Sequence, residues 1–368
     1  MRLIVILFAL FYCAPCLSQN TSLDSNVLIE LKRLKISGLA VAKVHEGKVA
    51  WSKYYGYQNL EKQIPVTENT IFQIASLSKT VTAAAVMQLV GQHTISLDDD
   101  VNGYLPFSVR SALHPKRPIT FRQLLRHRSS ISDNMDYLLP FWAGEYKGPT
   151  IKLEAFLQNY LVVGGSAYQG SKNFIQQAPG DKFEYSNMGY ALLGYLVERI
   201  SKMPFDKYCQ MYLFAPLEMH QTNWFLDDID PGKLAIPYTF SDSLEAFQKQ
   251  QQSTFPDYPA GQLRCNVADL AKFLACWIND GKFNGKAVID SIAVQTLTPK
   301  DMSLGYHTWF LYLLNTETPM YSHNGHSPGV STYMLYDPYS KNGLAILMNG
   351  DLSSYVDWRK LIGLLYTN

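Results

Sequence analysis

The chain has 368 residues, of which 47% are apolar, 13% aromatic and 17% charged. That balance excludes a disordered chain, and glycine and proline spread through the sequence exclude collagen-like or linker-dominated architecture. With 32 basic and 31 acidic residues the formal charge is +1, which leaves no basic excess to hold nucleic acid.

Met1-Arg2 opens a leader in which Leu3 to Leu17 are almost continuously apolar, followed by Ser18, Gln19 and Asn20. Fifteen residues at ~1.5 Å rise reach about 22 Å, short of a ~30 Å hydrocarbon core. A signal peptide over residues 1–18 is therefore expected, with a secreted or periplasmic mature chain and no stable membrane span after cleavage. An uncleaved N-terminal anchor is the alternative. Cleavage removes Arg2, Cys13 and Cys16 and leaves three cysteines, Cys209, Cys265 and Cys276. Three are too few for a disulfide scaffold, and three buried thiols fit better than a single bridge. Asn20-Thr21-Ser22 matches a glycosylation acceptor against the cleavage site.

Leu23 to Leu34 reads as a helix, with Val27, Leu28, Leu31 and Leu34 on one stripe. Leu39 to Val44 and Val49 to Tyr55 read as strands joined by a turn at His45-Glu46-Gly47-Lys48. Helical spacing marks Thr80 to Val90, Phe121 to Arg126, Gly189 to Lys202 and Ala268 to Asn279, with long loops between them. Tyr306 to Leu314, Met320 to His323, Val330 to Tyr336 and Leu344 to Asn349 read as strands, and Lys360 to Tyr366 as part of a closing helix. Strands at both ends with helices between predict an α/β fold: an antiparallel sheet built from both chain ends, flanked by helices. The sheet lobe would take residues 23–75 and 300–368, and an inserted, mainly helical lobe 80–295. Small-molecule sites favour the cleft between two such lobes.

Ile74-Ala75-Ser76-Leu77-Ser78-Lys79-Thr80 opens a helix after an extended segment. Ser76 and Lys79, three apart, are neighbours on one helix face. A serine hydroxyl becomes a nucleophile when something accepts its proton, and a desolvated amine can do so. The helix N-terminus also favours negative charge developing at Ser76. Alone, the spacing describes a serine-capped helix start with a solvated lysine. The residues after Lys79 are apolar almost all round, however, and a lysine on a buried helix needs a reason.

Tyr185 and Asn187, two apart before the helix at Gly189, can point the same way. A phenol there could relay the serine proton, and Asn187 could hold a substrate amide. On their own they describe a turn with one of the chain's 24 tyrosines. His323-Asn324-Gly325-His326 closes a C-terminal strand. Gly325 would let a substrate approach the backbone, and the N–H groups of Ser76 and His326 could form an oxyanion hole. His323 could hydrogen-bond the substrate or the Tyr185 hydroxyl. No carboxylate or cysteine cluster accompanies the two histidines, so a metal site is not expected, and no cofactor is implied.

Ser-x-x-Lys, Tyr-x-Asn and His-x-Gly in this order resemble the serine beta-lactamase-related family, which includes class C beta-lactamases, D-alanyl-D-alanine carboxypeptidases and family VIII esterases. Ile119-Thr120-Phe121-Arg122-Gln123-Leu124-Leu125-Arg126-His127 looks like the family's characteristic helix. Pro179-Gly180, and Pro259-Ala260-Gly261 before Asp269-Leu270, match its habits. The resemblance runs from about Leu39 to the C-terminus. It implies acylation of Ser76, Lys79 and Tyr185 as the proton-transfer pair, substrate contact by Asn187, and hydrolysis of the acyl-enzyme by water. Lys79 is then expected to be neutral or to share a proton with Tyr185.

Two departures matter. His323 stands where many relatives have the lysine of Lys-Thr-Gly, which assists binding of a substrate carboxylate. The expected substrate is therefore an ester or small amide, small molecule or peptide, with His323 governing the choice. Ser129-Ser130-Ile131 stands where relatives often have Ser-Gly-Leu or Ser-Gly-Ile, which predicts a local loop change without loss of chemistry. The alternatives are a D-amino-acid peptidase, a carboxypeptidase, a beta-lactamase, or a non-enzyme that keeps the fold to bind peptides or cell-wall fragments.

Overall fold

The computed structural model describes residues 21–144, 150–252, 254–297, 320–352 and 354–367. The leader, the Asn20 acceptor and the strand expected over Tyr306 to Leu314 lie outside them. In chain order the elements begin α1 (Thr21–Arg33), β1 (Gly38–His45), β2 (Lys48–Asn59), β3 (Ile64–Pro65), β4 (Phe72–Gln73) and α2 (Ser78–Gly91). The middle holds α3 (Phe121–Leu125), α4 (Met135–Trp142), α5 (Leu153–Leu161), α6 (Asn187–Ser201), α7 (Phe205–Cys209), β5 (Thr222–Asn223), β6 (Tyr238–Ser241), β7 (Ala246–Lys249), β8 (Arg264–Cys265) and α8 (Val267–Ile278). Then come β9 (Lys282–Phe283), β10 (Lys286–Ala287), α9 (Ser291–Leu297), β11 (Tyr321–Ser327), β12 (Val330–Asp337), β13 (Asn342–Met348) and α10 (Tyr355–Tyr366).

The two chain ends meet in one antiparallel sheet of order β11-β12-β13-β1-β2-β3. Leu39 pairs with Met348 and Val41 with Ile346 across the β1–β13 seam. The β1–β2 hairpin closes through two residues in the left-handed region, Glu46 (φ 49) and Gly47 (φ 73). A two-residue turn with both φ positive matches strand twist, which is why a glycine belongs there.

Side chains along β1 alternate between two cores. Ala40, Ala42 and Val44 join the core that contains α2, α6 and α8, whereas Leu39 and Val41 pack with Leu31 of α1 and Leu361 of α10. Both faces of the central strands are covered, so these strands read as continuous apolar runs instead of alternating ones. Helix α8 was expected in the helical lobe, but it packs on β13, β1 and β2. The sheet's inner face needs an apolar cover, and α8 supplies it with Phe273, Leu274, Trp277 and Ile278. The inserted segment thus shares one core with the sheet. Cys209, Cys265 and Cys276 are buried and unbridged. Among the described residues, no helix is long and apolar enough to cross a membrane.

Candidate active site

The extended chain that ends at Ile74 enters a 3-10 turn, Ala75–Leu77, and runs directly into α2. Ala75 sits at φ 47, in the left-handed region, at a cost of about 1–2 kcal/mol for a non-glycine residue. The turn is held by Ser78, whose Oγ donates to the Ala75 carbonyl at 2.6 Å and accepts the Leu263 N–H at 3.1 Å. Every residue of α2 from Ser78 to Leu89 is buried. Ser76 therefore stands on a rigid helix start and is itself only half-buried.

Lys79 is 0% exposed. Its Nζ lies 2.6 Å from Asn187 Oδ1, 2.7 Å from the Ala260 carbonyl and 3.2 Å from Ser76 Oγ. The first two partners are oxygens that can only accept, so they fix two of the amine's protons. Ser76 Oγ can both donate and accept. The third position on Nζ can therefore hold a proton directed at Oγ, or a lone pair directed at the Ser76 hydroxyl. One geometry serves the amine before and after it takes a proton.

Asp133 fixes the asparagine. Its carboxylate accepts the backbone N–H groups of Asn187 (2.9 Å) and Met188 (3.1 Å), the Asn187 side-chain amide (2.8 Å) and the Ser186 hydroxyl (3.2 Å). These are orphan donors at the start of α6, where the helix dipole also favours an anion. With Nδ2 held by Asp133, Asn187 must aim Oδ1 at Lys79.

Tyr185 Oη donates to Ser76 Oγ at 2.9 Å, and the Lys79 Nζ lies 4.9 Å from the centre of its ring. The ring stacks on His127 with centroids 4.5 Å apart, and His127 Nδ1 accepts the Ser186 N–H at 3.0 Å. His127 thus holds both Tyr185 and its neighbour. Ser130, expected to mark a changed loop, takes φ 65 itself, the region a glycine favours, and its Oγ donates to the Gln177 carbonyl at 2.7 Å.

Strand β11 forms the opposite wall. At Gly325 an added Cβ would lie 2.3 Å from the Ile74 carbonyl, 2.5 Å from Thr332 Oγ1 and 3.0 Å from the Ser76 nitrogen. The absent side chain is what lets this strand run against the nucleophile turn. Gly325→Ala is expected to push β11 away and lower kcat/KM by about a hundredfold, with a stability loss of about 1–3 kcal/mol. Steady-state assays and thermal melts check both, and a variant with wild-type kcat/KM would contradict this spacing.

Ser76, Tyr185, Asn187 and Asp257 line one cavity of about 340 Å³, together with Trp142, Phe255 and the β11 end at His326, Ser327 and Pro328. Of the residues expected at the site, the structure brings Ser76, Lys79, Tyr185 and Asn187 together and sets His326 in the wall. It does not bring His323 or Gly325 to the wall. His323 is 2% exposed, its Nδ1 is 2.8 Å from the Asn324 carbonyl, and it pairs across the strands with Met334 of the inner core. Two-residue alternation puts positions 323 and 325 on one face of β11, the face turned to Ile74 and Ser76, although neither lines the cavity. Sequence reasoning missed Asp133, His127 and Asp257 as site residues. Ala260 and His127 were visible only as parts of the Pro-Ala-Gly and helix motifs, and Asp133 carried no local signal.

The beta-lactamase family model matches residues 26–366. The chain is similar to "Protein flp" of Staphylococcus aureus (strain MRSA252), 25% identical over 329 residues that cover 89% of this chain and 62% of the relative. It thus spans about 62% of the length of that relative. Among solved structures it is similar to the octameric penicillin-binding protein homologue from Pyrococcus abyssi (TM-score 0.70, 25% identity, covering 94% of this chain and 77% of that one). It also shares the fold of the D-amino acid amidase from Ochrobactrum anthropi SV3 (TM-score 0.74, 20% identity, 95% and 98% coverage). With a family match that spans both chain ends and the whole serine–lysine–tyrosine cluster, the chain belongs to the beta-lactamase family, the class of serine hydrolases that includes the penicillin-binding proteins.

Proposed function

We propose that the protein is a serine hydrolase that cleaves an ester or amide bond through an acyl-Ser76 intermediate. One observation carries this reading: Ser76 Oγ is met from two sides by Lys79 Nζ (3.2 Å) and Tyr185 Oη (2.9 Å) at the wall of a cavity. A capped helix start needs neither partner, and a protein that only binds has no use for both.

In the proposed reaction Ser76 Oγ bonds to the acyl carbon and its proton passes to Lys79 Nζ. The N–H groups of Ser76 and His326 hold the oxyanion. The C–O or C–N bond then breaks as Tyr185 Oη protonates the departing oxygen or nitrogen, and Lys79 returns a proton to Tyr185. Water attacks the acyl-enzyme along the same route in reverse and releases the acid. Lys79 donates to Asn187 and Ala260 throughout, so the amine stays in place as its charge changes. His323, buried against the core, offers no lysine-like cation to a substrate carboxylate, which favours neutral esters and amides over beta-lactams.

Intact-mass analysis after exposure to a panel of carboxylic esters, D-alanyl peptides and a fluorescent penicillin tests the proposal. The expected result is a covalent acyl adduct, mapped by digestion to the Ser76 peptide, that forms with esters and turns over. Full hydrolysis with no adduct at Ser76, or no reaction with any member, would count against it.

A further inference from the structure

The serine–lysine–tyrosine mechanism makes no use of Asp257, although this residue lines the same cavity. Asp257 is 1% exposed. Its carboxylate receives the Trp142 indole N–H, at 3.0 and 3.2 Å from its two oxygens, and a hydrogen bond from its own backbone, both from neutral donors. No lysine or arginine among the described residues forms an ion pair with it. A buried carboxylate with two neutral donors and no cation retains acceptor capacity, and leaving an ion in that state is costly.

The groups around it define what is missing. Burial pushes the Asp257 carboxyl up to about 7; the Trp142 hydrogen bond and the Lys79 charge oppose this, and the Asp133 carboxylate adds to it. Tyr160, whose own hydroxyl is pushed well above its usual range mainly by burial, also feels the Asp257 charge. Lys79 cannot serve as a direct partner, because its Nζ is committed to Asn187, Ala260 and Ser76. The remaining cavity wall near Asp257 includes two aromatic rings, Trp142 and Phe255. A carboxylate in a cavity wall that also carries aromatic rings can receive a protonated amine.

Placement agrees. Asp257 precedes the 3-10 turn Tyr258–Ala260, and the Ala260 N–H bonds back to its carbonyl at 2.9 Å. At ~2.0 Å rise per residue, Asp257 lies about 6 Å along the chain from Ala260, whose carbonyl holds the Lys79 amine beside Ser76 Oγ. An amine carried within a few bonds of the scissile carbonyl spans that interval.

Resting on the serine-hydrolase reading, we propose that Asp257, with Trp142 and Phe255, forms a subsite for a protonated amine on the acyl part of the substrate. The substrates are then aminoacyl esters or amides with a free amino group.

The test uses a matched pair: alanine benzyl ester, as each enantiomer, and propionic acid benzyl ester, which lacks only the amine. In the wild-type protein kcat/KM for one alanine enantiomer should exceed that for propionate by about tenfold or more. Asp257→Asn should lower that ratio by about tenfold, leaving only the intrinsic activation of the ester by its α-ammonium group. In the wild type the ratio should rise from pH 6 to about 7, as Asp257 ionises, and fall above about 8, as the α-amino group loses its proton. A wild-type ratio near one, or a ratio that Asp257→Asn leaves unchanged while both rates fall, would overturn the subsite and leave Asp257 a structural group. A second measurement is independent of turnover. Propylammonium titrated into the Ser76→Ala protein should ionise Asp257 and saturate, read by carboxyl carbon-13 NMR; absence of saturation also overturns the subsite. If propylammonium saturates but neither ester is cleaved by the wild type, the hydrolase reading falls and the amine site stands.

Discussion

Ser76→Ala is expected to lower kcat by about 10⁴- to 10⁶-fold on any substrate the wild type cleaves, with a melting temperature close to that of the wild type. The magnitude follows the loss of a nucleophile that acts as one unit with its base. The unchanged fold follows from what Ser76 Oγ touches: Lys79 at 3.2 Å and Tyr185 at 2.9 Å, with the cavity beyond. Lys79 keeps its two carbonyl-type acceptors, and Tyr185 can turn its hydroxyl to water in the cavity. Burst-phase assays, intact mass and thermal melts check the three parts of this expectation. A variant with more than about a hundredth of wild-type turnover would remove Ser76 from the nucleophile's role.

Lys79→Arg is expected to be as inactive as Lys79→Met, for two different reasons. A guanidinium cannot give up its proton, so it cannot accept one from Ser76. Its fork must also fit where the buried ammonium sits among three oxygens, at a position with no exposure. Methionine fits the space but leaves Asn187 Oδ1 and the Ala260 carbonyl without their donor, at about 1–3 kcal/mol for each buried acceptor. In both, kcat falls by about a thousandfold or more, and both unfold at lower denaturant, the arginine protein by overpacking and the methionine protein by its unpaired acceptors. An arginine variant that keeps a tenth of wild-type kcat would show that Lys79 is not the proton acceptor. Both variants are measured by kcat and by denaturant unfolding.

The outer parts of this fold were readable in the sequence because periodicity and turn chemistry act locally. The β1–β2 hairpin, α2, α6 and the β12–β13 pair follow from apolar runs bounded by glycine, asparagine and proline. Helix α4 was not readable, since Pro140 inside it resembles loop punctuation. The lysine's importance was legible from a charge inside an apolar helix. Its partners were less so: Asp133 is 54 residues from Asn187 and Asp257 is 115 from Trp142, and each contact exists only after folding. His323 shows the limit in the other direction. Its place in the motif order suggested a substrate contact, and folding buries it on the strand face it shares with Gly325, next to the nucleophile turn but outside the cavity lining.

The sheet that joins the two chain ends also sets when the serine–lysine–tyrosine site can be completed during synthesis. Strand β1 finds its neighbour β13 only about three hundred residues later, through pairs such as Leu39 with Met348. Closing so long a loop costs entropy that local contacts cannot offset early, so this seam forms late. Strand β11, the wall against Ser76, joins the sheet only through β12 and β13. A nascent chain that has already made α2, α6 and the lysine's partners still lacks that wall. Assembly of the pocket around Ser76 therefore waits for the ribosome to release the last strands, and an interrupted translation product carries the Ser76 turn with no wall against it.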